Sequence, residues 1–125
     1  MAKYAFLFID DGVDYQGAPT PEQQKVYADI FKWFETNGSR IVDGGAELQP
    51  TRTATTIRHP NGKATVMDGP FIEAKESVGG YTIFELPDRE AAIALAKTWP
   101  GHAVEVRSLV EQRDDQNVPA DLARR

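Results

Sequence analysis

The chain has 125 residues and no cysteine, with 14 Lys and Arg against 19 Asp and Glu, a formal net charge of −5. That length fits one domain with a single core, and the missing thiols exclude a disulfide scaffold, thiolate catalysis, zinc–thiolate sites and iron–sulfur clusters. The acidic balance argues against nucleic acid or anionic lipid as partner, because both call for a basic surface. The acidity lies in the flanks: residues 51–110 are balanced, with seven acids and seven bases.

Lys3 to Ile9 reads as a strand with both alternating faces apolar: Tyr4, Phe6 and Phe8 on one, Ala5, Leu7 and Ile9 on the other. A strand that meets water on one side alternates with polar residues, so this one is expected to be central and covered twice. Asp10 to Pro19 reads as loop. Thr20-Pro21-Glu22-Gln23 then supplies an N-cap, a proline at the first helical position and a Gln three residues after the cap, a capping-box pattern. Val26, Tyr27, Ile30, Phe31, Trp33 and Phe34 fall on one broad helical face, and Asn37-Gly38 stops the helix.

Arg40 to Leu48 reads as a second strand, weakened by Gly44 and Gly45. Thr53 to His59 and Lys63 to Asp68 flank Pro60-Asn61-Gly62, a hairpin signal. Val78 to Leu86 is again apolar on both faces. Asp88 caps a short helix whose small apolar face is Ala91, Ala92, Leu95, Ala96 and Trp99, and Ala103 to Val110 alternates as a last strand. The pattern gives a domain over residues 1–110 and a polar C-terminal tail over 111–125.

The order is βαβ, a β-hairpin insertion, then βαβ, the split layout of a ferredoxin-like α+β domain with an antiparallel sheet. Two helices cover one face of such a sheet. The second apolar face of the first and fifth strands needs another cover, and a second copy of the sheet predicts a homodimer. No apolar run is long enough for a signal peptide or a membrane span, so the expected setting is soluble and cytoplasmic, with no membrane partner.

Residues 67–81 are densest in chemistry-bearing groups. Asp68 ends a strand just before the turn Gly69-Pro70, and Glu73, Lys75 and Glu76 follow within one loop. A carboxylate beside a lysine can be held ionised as a general base, and burial can raise its pKa until it donates a proton. Asp-Gly-Pro is equally ordinary turn chemistry. Gly79 and Gly80 read as a bulge or a close backbone approach. His59 and His102, each beside a turn, offer no metal-ligand spacing, and both read as exposed turn residues. Arg52 and Glu47 bracket Leu48-Gln49-Pro50 and are further candidates to line a cleft. No serine sits in a nucleophile elbow.

Asp68-Gly69-Pro70-Phe71, Glu73-x-Lys75-Glu76 and Gly79-Gly80-Tyr81 together resemble the signature of the DGPF group of YCII-related proteins. Upstream, Gly45-Ala46-x-Leu48-x-Pro50 and Ala54-Thr55-Thr56-Ile57-Arg58 fit the same pattern, as does Pro87-Asp88, so the resemblance spans about residues 3–109. It implies a dimeric α/β barrel built from the ferredoxin-like unit. It also implies genes often found near extracytoplasmic-function sigma factors, and YCII-related relatives with a His–Asp pair in a cleft. One branch eliminates chloride from a chlorinated hydroquinone without a cofactor. The helix-borne histidine of that branch has no counterpart in residues 20–37. What carries over is only the motif set, Asp68, Glu73, Lys75 and Glu76 as cleft groups with Gly69, Pro70, Phe71, Gly79 and Gly80 shaping the loop. Apart from the resemblance, Arg52, Glu47, Phe71 and Tyr81 are the expected substrate contacts.

Two functions follow as expectations. One is an enzyme without metal or organic cofactor that moves protons on a small organic molecule, in an elimination or isomerisation, with Asp68 as base and Lys75 or Arg52 steadying an anion. The other is a non-catalytic homodimer that binds a small ligand or a regulatory partner such as a sigma factor.

Overall fold

The computed structural model describes residues 1–13, 15–70 and 76–111. Four strands form one antiparallel sheet: β1 (Ala2–Asp10), β2 (Ile41–Glu47), β5 (Ser77–Leu86) and β6 (Ala103–Ser108), in the order β2-β5-β1-β6. β1 is central and pairs antiparallel with both β5 and β6. Helix α1 (Pro21–Asn37) joins β1 to β2, and α2 (Arg89–Ala96) joins β5 to β6. Between β2 and β5 the chain makes β3 (Thr55–Arg58) and β4 (Thr65–Asp68), which among the described residues pair only with each other as a separate two-stranded ribbon. The result is a mixed α/β fold of one antiparallel sheet, two helices and a side ribbon. Among the described residues no helix is long and apolar enough to cross a membrane.

The helices begin where side chains replace missing backbone partners. Thr20 accepts from the Gln23 amide while the Gln23 side chain accepts from the Thr20 amide, so the capping box forms as the spacing predicts. Asp88 caps α2 by accepting from the amide of Ala91. α1 ends at Asn37, but Gly38 keeps a right-handed conformation and leads into a tight turn over residues 38–40 rather than a left-handed cap.

The core lies between the helices and one face of the sheet. Tyr4, Phe6, Phe84 and Leu86 from the strands meet Trp33 from α1 and Ala92 and Leu95 from α2. Phe6 and Phe84 rings lie 4.6 Å apart, and Phe8 stacks on Trp99 at 4.3 Å. The Trp33 indole N–H donates to Thr98 Oγ1, and Thr98 donates to the Leu95 carbonyl, which ties α1 to the end of α2. The inward stripe of α1 is narrower than the sequence pattern suggests: Ile30, Trp33, Phe34 and Asn37 turn in, whereas Tyr27 is exposed and Phe31 is 70% exposed. Only one side of a helix lying on a sheet meets that sheet, which leaves Tyr27 and Phe31 outside the contact.

Among the described residues nothing covers the opposite face of the sheet. Ala5 stands opposite Ile83 and Leu7 opposite Tyr81, with Ile9 next in line on β1. Leu7, Ile9 and Ile83 are half-buried, and Tyr81 is exposed. Around this apolar centre lie Glu105 and Arg107 of β6, themselves paired, and Asp43 of β2. On β2, Gly45 holds a left-handed φ of +70°, and a Cβ there would stand 1.8 Å from the carbonyl oxygen of Tyr81. Glycine is what lets this edge strand follow its neighbour.

Candidate functional site

The antiparallel order gathers the end of β1 and the starts of β5 and β6 at one end of the sheet. Each strand arrives with a polar residue just where regular pairing stops. Asp10 closes β1, Glu76 and Ser77 open β5, and His102 precedes β6. Nε2 of His102 lies 2.6 Å from Oε2 of Glu76. Ser77 donates its hydroxyl to Asp10 Oδ1 at 2.9 Å, and the amide of Gly12 donates to the same oxygen. Asp10 thereby fixes the start of β5 against the loop that leaves β1.

The neighbouring Asp11 is held by that loop. Tyr15 donates its hydroxyl to Asp11 Oδ2 at 2.6 Å, and the Val13 amide donates to Oδ1. The Tyr15 bond is the main reason the Asp11 carboxyl sits below its ordinary value of 3.8. The Val13 amide adds to the shift, and the charge of His102 also contributes. The same bond raises the Tyr15 phenol above 10.0. His102 therefore stands between two carboxylates, bonded to Glu76 and within electrostatic reach of Asp11.

A carboxylate against Nε2 favours the tautomer that carries its proton there, which leaves Nδ1 as the basic nitrogen. Beside the pair is an open cavity of about 520 Å³, lined by Ile9, Glu76, Ser77, Val78, Ala103 and Glu105. Ile9, Val78 and Ala103 give it apolar lining and Glu76 lines it as well, whereas His102 does not line it and connects to it through its contact with Glu76. Behind His102, the Trp99 indole packs over Gly101: a Cβ at Gly101 would lie 2.5 Å from Trp99 Nε1. This contact shapes the turn that delivers the histidine.

The residues singled out from the sequence do not all converge. Glu76 joins the cluster. Glu73, Lys75 and Phe71 lie outside the described residues. Asp68 ends β4 on the side ribbon, exposed, beside Gly69, whose amide donates to the Ala54 carbonyl and whose carbonyl accepts from Thr56; Pro70 follows, half-buried. Arg52 occupies the short turn over residues 51–53, and Glu47 ends β2 opposite Gly80. Gly79 is the extra residue where the β1–β5 register shifts, a bulge of the kind the Gly-Gly pair suggests. Tyr81 lies on the open face. Asp10, Asp11, Tyr15 and His102 were not singled out by sequence reasoning. His102 is exposed beside a turn as expected, but it has a carboxylate partner that no local pattern announces. Among the described residues no group of three or more His, Asp or Glu is placed to hold a metal ion.

A small mixed α/β domain with an acid–base cluster at one end of its sheet is thus the class that fold and site define. The sequence matches the YCII-related domain over residues 3–113, and the chain belongs to that family. It is also similar to uncharacterized protein R00369 of Rhizobium meliloti (strain 1021), at 40% identity over 98 residues, which cover 75% of this chain and 77% of that protein.

Proposed function

We propose that the protein is an acid–base enzyme acting on a small organic molecule, with neither metal nor organic cofactor, and that it works as a homodimer. The observation that carries this reading is the 2.6 Å contact between His102 and Glu76, the latter lining an open cavity. In this reading His102 takes a proton from the substrate through Nδ1, and Glu76 stabilises the imidazolium that results. The imidazolium then returns the proton to a leaving group or to a second carbon, which completes an elimination or an isomerisation. Asp68, Glu73 and Lys75 remain proposed as contributors from the neighbouring segment, and Arg52, Glu47, Phe71 and Tyr81 as substrate contacts.

The homodimer forms through the open face of the sheet, where half-buried Leu7, Ile9 and Ile83 and exposed Tyr81 are covered by no other described element. The four-stranded order, ferredoxin-like in type, then becomes half of a dimeric α/β barrel. Exposure of both Glu76 and His102 favours one alternative, a ligand-binding or regulatory dimer without turnover. A thermal-shift screen of neutral and charged metabolites, repeated on His102→Ala and Glu76→Gln, separates the two. The enzyme reading expects a compound that wild type converts and the variants bind but leave unchanged. A compound that binds wild type and is never converted supports the alternative.

A further inference from the structure

The β3–β4 ribbon is the part of the fold that a single chain explains least. Its strands are four residues long and pair only with each other. All of β4 is exposed, and of β3 only Thr56 is half-buried. An isolated two-stranded ribbon is marginal in water. This one also presents Ile57 and Val66, directly paired and 57% and 68% exposed, side by side on one face.

Charge indicates what the ribbon meets. Residues 48–67 contain Arg52, Arg58 and Lys63 and no carboxylate, so this stretch is +3 and the rest of a −5 chain holds −8. Two such bodies repel, and the basic arm is the segment with the sign to attract another copy. The apolar pair on the arm has a counterpart too. Ile9 and Val78 line the cavity beside Glu76, where the open sheet face runs into the acidic strand ends of Asp10, Asp11 and Glu76.

We propose that the β3–β4 arm of one copy docks on the second copy. Ile57 and Val66 seat against the open sheet face, and the basic side of the arm meets the strand-end carboxylates. Each copy gives one arm and receives one, as a two-fold contact requires. The arm then forms the missing wall of the cavity beside Glu76 and His102, so the site is complete only in the dimer. This inference rests on the homodimer reading above and adds the β3–β4 arm to the sheet-face contact it describes.

The chain has no cysteine, so Val66→Cys accepts a single maleimide–benzophenone label. Labelled protein is mixed with isotopically heavy, unlabelled wild type, irradiated, and read by peptide mass spectrometry. The expected products are light-to-heavy crosslinks from position 66 to residues 2–10, 76–86 or 103–108. Sedimentation gives the second readout: Val66→Glu should raise the dimer dissociation constant about tenfold or more, and Lys63→Glu should raise it several-fold. Adding salt should weaken the wild-type dimer, because an attraction between unlike charges is being screened. A dimer that strengthens with salt, is unchanged in both variants, or crosslinks only within one chain or onto the helices overturns the arm assignment and leaves the dimer standing. A wild type still monomeric at roughly 100 µM overturns the dimer reading and this inference together.

Discussion

His102 and Glu76 are 26 residues apart in sequence, yet Nε2 and Oε2 meet at 2.6 Å. Neither residue is inside a strand. Each occupies the last position before regular pairing begins, on either side of the end of β1. The contact is therefore a product of sheet order: β1 between β5 and β6 brings the two approaches together, and the turn before each strand aims one side chain at the other. A hydrogen bond between a carboxylate and an imidazole N–H is of the charge-assisted kind, shorter and stronger than one between neutral groups.

Replacing His102 with Ala or Glu76 with Gln should lower kcat/KM by about 100-fold to 10,000-fold for whichever compound the metabolite screen returns as substrate. Both side chains are exposed, so folding should be preserved. The check is steady-state kinetics beside a thermal melt, and variants that melt with wild type yet keep its full rate would remove the pair from the mechanism.

Asp68→Asn distinguishes the strand-end pair from the motif aspartate. Asp68 is exposed on the side ribbon. If His102 is the base and Asp68 only assists, the variant should lose no more than about tenfold in kcat, well short of the loss in His102→Ala. Loss of kcat at unchanged KM would return the role of base to Asp68.

The loop after β1 should be tethered across a defined pH range. Asp11 is held below its ordinary 3.8 chiefly by the Tyr15 hydroxyl, so this contribution is fully present above 3.8 and lost as pH falls through the lowered value. Tyr15 is held above 10.0 chiefly by the same bond, so its contribution is present below 10.0 and lost as pH rises through the raised value. NMR titration of the Asp11 carboxyl should find it moving back toward 3.8 in Tyr15→Phe. An Asp11 titration identical in wild type and variant would contradict the tether.

Gly101→Ala should test the support behind His102. The added methyl meets the Trp99 indole at 2.5 Å, and Trp99 is stacked on Phe8, so the indole cannot retreat freely. A cost of about 1–3 kcal/mol in urea unfolding is expected, together with a shifted His102 ring resonance. A variant as stable as wild type with the His102 signal unmoved would show that the contact relaxes without consequence.

Local chemistry made much of the fold legible. The Thr20 capping box, Pro21, the Asp88 cap and the turn at Pro60-Asn61-Gly62 each act within a few residues, and each forms where the spacing places it. The two apolar faces of β1 identified a central strand, although among the described residues only the face of Tyr4 and Phe6 is packed into the core. Phe31 was less legible: helical periodicity gives the face a residue occupies, and the width of the contact depends on where the sheet ends. The site was the least legible part. Its polar groups come from three separate strand ends, and Asp10, Asp11 and His102 each resemble ordinary turn residues taken alone. Only the order β2-β5-β1-β6 brings them together.

The position of β1 also shapes how the protein comes into being on the ribosome. Its partners lie far downstream: Asp10 waits for Ser77, 67 residues on, and Lys3 bonds Glu111 across 108. A nascent chain thus carries Tyr4, Phe6, Leu7, Phe8 and Ile9 without their partners while some hundred further residues are made. Chains dominated by such distant pairings close slowly and expose apolar strands in the interval. Heat-shock chaperones that bind short hydrophobic stretches would find one here until β5 and β6 are made, and yield on expression should respond to their supply.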